Sequence, residues 1–352
     1  MTADQTDIRP RLLSIATAVP PHPMDQDDIL RESRALLQSR FAQFDRLAPA
    51  FRNAGIERRY SVVPLDWFRQ PHGWVDRTAA FAAGAADLFR RAAGAALDQA
   101  GLRADQVDII VTVCSTGIVT PTLEALVARD MGFRADVMRV PVFGLGCAGG
   151  VSGLSVAADL AAARPGAVVL LVAVETCTLL FRLDRLAKAD IIATALFGDG
   201  AAAVVLRAGM DADDARPRIG RGLQHMWPDT LGIMGWTVEE TGLGVIFDRS
   251  IPDFAEAELR AALDNLAPGR SVDRYVCHPG GAKVITALEA TLDLAPGALD
   301  VERRVLAQNG NMSAPTVLFV LAEVLRETPP PKLMAMALGP GFTLSVLPIT
   351  VD

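Results

Sequence analysis

The chain has 352 residues, enough for two packed units and a large apolar core. Residues of the AVILMFWYC set make up 51% and charged residues 21%, which excludes a disordered chain. The formal charge of -7 excludes a general basic field for nucleic acid, so an anionic ligand needs a local basic patch.

The start, residues 1–7, is acidic and polar where a secretory signal is basic and then apolar, so no export is expected. An Ala-rich stretch at 78–100 reads as a helix and the Val/Ile run at 107–113 as a strand. A second strand at 139–143 leads into the small-residue loop 144–150 (GLGCAGG), which opens a helix at 151–163. The apolar stretch 167–181 is broken by Glu175 and is shorter than the roughly 20 residues of a membrane helix, so its strand reading, 167–174, stands and no membrane span is expected. The turn 197–200 (FGDG) joins it to a strand at 201–206. The polar segment 209–217 (GMDADDARP) is the best boundary, dividing the chain into halves 1–208 and 209–352. The second half shows strands at 275–277 and 333–338 and a helix at 314–327. Most of these strands read as buried on both faces, and their alternation with helices predicts a layered α/β fold.

The two halves resemble each other weakly. In the first, the loop around Cys147 opens a helix and a later Gly198 turn joins two strands; in the second, 308–313 (QNGNMS) opens a helix and Gly339 joins two strands. The first copy carries an insertion between these points. Such a repeat places Cys147 and Asn311 at equivalent helix N-termini facing one pocket.

Four cysteines (Cys114, Cys147, Cys177 and Cys277) show no C-x-x-C spacing, so neither a disulfide framework nor a metal site is expected, and a reduced cytoplasmic setting follows. The loop at Gly144, Gly146 and Gly149 also fits G-x-G-x-x-G, which allows a nicotinamide oxidoreductase, but about 140 residues precede it and Cys147 is left unexplained. A cysteine in the first helical turn is placed to favour thiolate; the plain alternative is a small buried thiol beside glycines. Among the four histidines, His278 closes a strand before Pro279, Gly280 and Gly281, which leaves its imidazole facing a cavity. His22 and His72 read as surface residues, and His225 stays open. Asn311 completes a Cys-His-Asn set.

With these motifs the chain resembles the type III polyketide synthases, the chalcone synthase-like branch of the thiolase-fold condensing enzymes. The resemblance runs from ATAVPP at 16–21, through GLGCAGG, FGDGAAA at 197–203, HPGG at 278–281 and GNMSAP at 310–315, to GPGFT at 339–343. Ketoacyl synthase III enzymes share the Cys-His-Asn logic, but HPGG and GPGFT fit the polyketide branch better.

The resemblance implies a five-layered αβαβα fold of two related halves, a homodimer, and acyl-CoA and malonyl-CoA as substrates, with no metal, flavin or nicotinamide. Acyl carrier protein is not indicated. It implies that Cys147 attacks an acyl thioester with His278 as ion-pair partner, and that His278 and Asn311 polarise the malonyl carbonyl during decarboxylation. Arg52, Arg58, Arg59, Lys283 and Ser313 become the CoA-contacting set. Phe197, Cys177, Leu180, Trp236, Val245, Thr120, Gly339, Pro340 and Gly341 become the pocket.

Relative to plant enzymes, Val245 replaces a gatekeeping phenylalanine, Cys177 and Leu180 replace small hydroxyl residues, and Trp236 replaces glycine. The pocket is greasier, which points to a fatty acyl starter and an alkylpyrone or alkylresorcinol product. Bacterial alkylpyrone and alkylresorcinol synthases share a Met234-Gly235-Trp236-like segment. The alternatives are a malonyl-primed synthase of a small aromatic polyketide (tetrahydroxynaphthalene or phloroglucinol type), a ketoacyl synthase III-like enzyme, and a silent acyl-CoA-binding protein.

Overall fold

The computed structural model describes residues 8–211, 213–248 and 250–352; the acidic start at 1–7 lies outside them. Ten strands form one sheet, and its order records the duplication. In the first half the neighbours run Ile109–Val113, Val168–Thr176, Asp199–Arg207, Arg11–Ala18; in the second, Arg274–Cys277, Lys332–Gly339, Thr343–Thr350, Arg218–Ile219. In each set the first pair is parallel and the next two are antiparallel. The sets meet where Arg11 pairs with Arg218.

Alternate residues of the strands feed different cores, as the two-residue period of a strand requires. Ile110, Leu170, Val172 and Val205 face the long helix Trp74–Ala100, whose Phe81, Ala85, Leu88, Phe89 and Ala92 recur at helical spacing. Ile109, Val111, Leu171 and Val204 face the helices Gly149–Ala163 and Ala314–Arg326, which also cover Ala335 and Leu347 of the second half. The far side of that half, Met334, Met336 and Val346, packs under the helices Ile251–Leu266, Ala282–Thr291 and Asp300–Asn309. The two central helices are therefore sandwiched between sheet halves, and the order is αβαβα as expected.

The strands at 168–176 and 199–207 are buried along almost their whole length, as their composition requires. Met138–Val142 differs, alternating half-buried and exposed residues, because it is the edge strand of the sheet. The apolar segment that does reach membrane-spanning length is Gly146–Ala163 rather than the stretch at 167–181, and it is a core helix, mostly buried inside the fold. The insertion in the first copy is 177–198, a short 3-10 turn and the helix Lys188–Leu196. The tight turn at 339–343 stands in its place in the second copy.

Candidate active site

The central helices meet at their N-termini because glycine lets them. A Cβ on Gly150 would collide with the Ala314 carbonyl and come within 2.6 Å of Val317, and one on Gly149 would sit 3.1 Å from the Ala314 Cβ. Cys147 lies in the turn Gly146–Ala148 that opens the first helix, and Asn311 and Ser313 immediately precede the second. The Ser115 hydroxyl accepts from the backbone N–H of Gly144 and Gly146, both at positive φ, and so shapes the cysteine loop. Pro340 caps it: a Cβ on Gly146 would lie 2.7 Å from the Pro340 ring. Gly146, Gly149 and Gly150 thus serve close packing against Pro340 and the second central helix, which accounts for the glycine spacing without a dinucleotide.

Cys147, His278 and Asn311 line one cavity of about 470 Å3, with Met234, Phe247, Gly280 and Leu338. Cys147 is partly accessible, whereas His278 and Asn311 are 5% and 1% exposed. The Asn311 carboxamide is fixed in orientation: Oδ1 accepts from the Ser313 N–H at 2.8 Å and Nδ2 donates to the Gly280 carbonyl at 3.2 Å. Its second N–H remains to be offered to a ligand. The Asn311 main chain is tied to the insertion by bonds to Leu196 O and Gly198 N. The His278 N–H donates to the Met336 carbonyl, while both ring nitrogens are buried with no hydrogen-bond partner. Such atoms are costly unless something arrives to pair with them.

Burial pushes the Cys147 thiol up to about 11, opposed by Ser313 and Asn311 beside the sulfur. Burial alone pulls His278 down to about 4. Both shifts lean toward the neutral thiol and imidazole, against the ion pair that the resemblance implies. Behind the sulfur lies Glu175, fully buried, its Oε2 accepting from the N–H groups of Ser115 and Thr116 and from Thr116 Oγ1. Burial raises it to about 7, and its charge adds to the cost of a thiolate at Cys147. With the thiol raised, alkylation of Cys147 by iodoacetamide is expected to accelerate about tenfold per pH unit between roughly pH 7 and 9, in step with the thiolate fraction. A flat profile over that interval, read by intact-protein mass, would show a preformed ion pair instead.

The remaining site residues divide. Cys177, Leu180, Phe197, Trp236, Val245 and Pro340 line a second cavity of about 400 Å3 that also reaches Cys147. Gly339 is buried under it, where a Cβ would come within 2.7 Å of Ala148 N and Leu145 O. Gly341 lies off the cavities, beside Met226 and Leu231. Thr120 is exposed and lines none of the cavities described here. Ser313 is 3% exposed beside the sulfur, too deep for a phosphate contact.

Arg59 is likewise no phosphate ligand. At 1% exposure it donates to Thr194 O, Phe197 O and Gln26 Oε1, so it holds up the pocket floor, and burial lowers its pKa to about 9. Arg58 is exposed and paired with Asp25 at 3.0 Å. Arg52 and Lys283 are exposed, and Lys283 adjoins Val284 of the catalytic cavity. The segment after Arg52 approaches the lysine's helix, a Gly55 Cβ lying 3.1 Å from that of Ala282. His72, read as a surface residue, is instead stacked on Trp67 at 3.6 Å between ring centres.

Sequence reasoning missed Met234, Phe247 and Glu175. The first two were recoverable, since Met234 is two residues from Trp236 on a strand and Phe247 two from Val245. No group of three or more His, Cys, Asp or Glu among the described residues is placed to hold a metal.

Comparison with known proteins identifies the family. Residues 73–210 match the N-terminal domain of chalcone and stilbene synthases and residues 218–350 their C-terminal domain. The chain is 37% identical to a 1,3,6,8-tetrahydroxynaphthalene synthase of Streptomyces peucetius subsp. caesius, over 94% of this chain and 90% of that one. It is 32% identical to a putative chalcone synthase of Bacillus subtilis (strain 168), over 96% and 97%. The crystal structure of tetrahydroxynaphthalene synthase from Streptomyces coelicolor A3(2), a bacterial type III polyketide synthase, superposes with a TM-score of 0.90 at 27% identity, covering 97% of this chain and 99% of that one. With both halves matched and the duplicated fold shared, the chain belongs to the chalcone and stilbene synthase family and is a type III polyketide synthase.

Proposed function

We propose that Cys147, His278 and Asn311 carry the condensation and that the starter is an aliphatic acyl-CoA, giving an alkylpyrone or alkylresorcinol. The observation that supports the catalytic assignment is the pair of buried, unpartnered His278 nitrogens in the cavity of Cys147 and Asn311. In this reading the thiol attacks the acyl thioester while His278 takes its proton and returns it to the departing CoA sulfur. Malonyl-CoA then loses CO2, and the enolate oxygen accepts hydrogen bonds from His278 and from the free N–H of Asn311. The carbanion attacks the Cys147 thioester, a C–C bond forms, the C–S bond breaks and the sulfur is released for another round. Arg52 and Lys283 form the local basic patch that the CoA phosphates of a net-acidic protein require.

The starter assignment is supported by an apolar cavity of about 640 Å3, behind the catalytic pocket and lined by Ile29, Leu36, Leu65, Phe68 and Phe181 among others. Cys177, Leu180, Phe197 and Val245 line both and form the partition between them. Each methylene buried beyond it contributes about 0.8 kcal/mol, close to fourfold in affinity. Val245→Trp is expected to fill the partition and cut kcat/KM for long acyl-CoAs at least about tenfold while sparing short ones. Turnover of graded acyl-CoAs checks this, and an equal loss at all lengths counts against it.

A second reading, priming by malonyl-CoA itself to give a small aromatic polyketide, is supported by the similarity to tetrahydroxynaphthalene synthases. Incubation with malonyl-CoA alone and with added acyl-CoAs, products identified by mass spectrometry, separates the two. We also propose a homodimer through the edge strand Met138–Val142, where Ile118, Leu126 and Phe143 expose large apolar side chains.

A further inference from the structure

The hairpin Met234–Val238 and Leu243–Phe247 is a sheet of its own with no ladder to the ten-stranded sheet. One of its faces gives Met234, Trp236, Val245 and Phe247 to the second cavity, which also reaches Cys147. The facing wall, Cys177, Leu180 and Phe197, belongs to the insertion at 177–198 and its end. Side chains must therefore fix the gap between the walls.

They converge on Glu239, just past the first hairpin strand. Its Oε2 accepts from Arg182 at 2.8 Å, and its Oε1 lies 3.3 Å from Arg185 Nε and 3.1 Å from the Thr237 hydroxyl. Its carbonyl accepts from the Trp74 indole at 2.8 Å. Arg185 continues to the Val245 carbonyl at 3.0 Å, and Arg182 to Asp184, which in turn accepts from Thr241 in the hairpin turn at 2.7 Å. The Glu239 carboxylate lies against the bare backbone of Gly244, where any Cβ would collide with it. Arg182 is 7% exposed and Glu239 32%, so the clasp is only partly screened by water.

We infer that Glu239 is a positioning residue that determines specificity, clasping hairpin to insertion and setting the opening between Val245 and the Leu180–Phe197 wall. This rests on the starter reading above, because the partition that the clasp adjusts is the one an acyl chain crosses. Removing Glu239 leaves Arg182 its Asp184 partner, so no buried cation is orphaned.

The test compares wild type with Glu239→Ala and Glu239→Gln on graded acyl-CoAs, alongside malonyl-CoA decarboxylation and thermal melting. In Glu239→Ala the ratio of kcat/KM for long over short starters is expected to change at least about tenfold, with decarboxylation altered less than about threefold. Glu239→Gln, which keeps the shape and one acceptor, is expected to fall between. If the alanine variant does not fold, the glutamine variant carries the test on the same ratio. An unchanged ratio, or decarboxylation falling in proportion with every condensation, overturns the inference. If wild type ignores added acyl-CoAs, the starter reading fails by itself, and the clasp is read from the number of malonyl units incorporated, unchanged numbers overturning it.

Discussion

Cys147→Ala is expected to abolish acyl loading while malonyl-CoA decarboxylation persists, and Asn311→Ala to do the reverse. Cys147 is the cysteine that shares a cavity with His278 and Asn311, so its removal takes away the proposed acyl carrier. Decarboxylation needs donors for a developing enolate, and these stay in place, since Asn311 is oriented by Ser313 N–H and the Gly280 carbonyl and not by the cysteine. Losing one such donor costs about 3 kcal/mol of barrier, or roughly 10²- to 10³-fold in rate. Intact-protein mass spectrometry after acyl-CoA exposure reads the loading, and CO2 release from malonyl-CoA reads the other half-reaction. An acyl adduct that survives in Cys147→Ala would remove the proposed nucleophile from the mechanism.

Gly150→Ala is expected to be strongly destabilising and to damage the site as well. The new Cβ would overlap the Ala314 carbonyl and crowd Val317, and neither neighbour can yield, because both belong to the central helix that carries Asn311 and Ser313 to the site. Overpacking of this kind costs about 1–3 kcal/mol, more where backbone must move. The two helix ends would separate, so thermal melting should fall together with acyl loading and decarboxylation. A variant that melts like wild type would show that the helices do not depend on this contact.

The strands and central helices were legible in the sequence because residues such as Ile110, Val172 and Ala203 are buried in runs that only a doubly covered strand accepts. The duplication was legible because both copies need small residues where a helix opens. The hairpin wall was harder to read: Met234 to Val238 alternates apolar residues with Gly235 and Thr237, but the pattern lasts only five residues and Val238 at its end is exposed. Basic residues misled in a different way. Arg58 and Arg59 look alike in sequence, yet on a strand they point to opposite faces, and one reaches solvent while the other reaches the pocket floor. For Cys147 a helix end argues for thiolate, whereas the depth of the cavity, visible only in three dimensions, pushes the thiol up.

Ser313 has φ of 59° and ψ of −129°, a conformation natural to glycine and foreign to a residue with a side chain. Holding it there costs of order 1–3 kcal/mol. A glycine would release that tension and yield a sturdier protein, but one lacking the hydroxyl that leans toward the sulfur. Rigidity and reactivity are thus set against each other at one backbone position, and engineering for heat resistance should leave that residue alone.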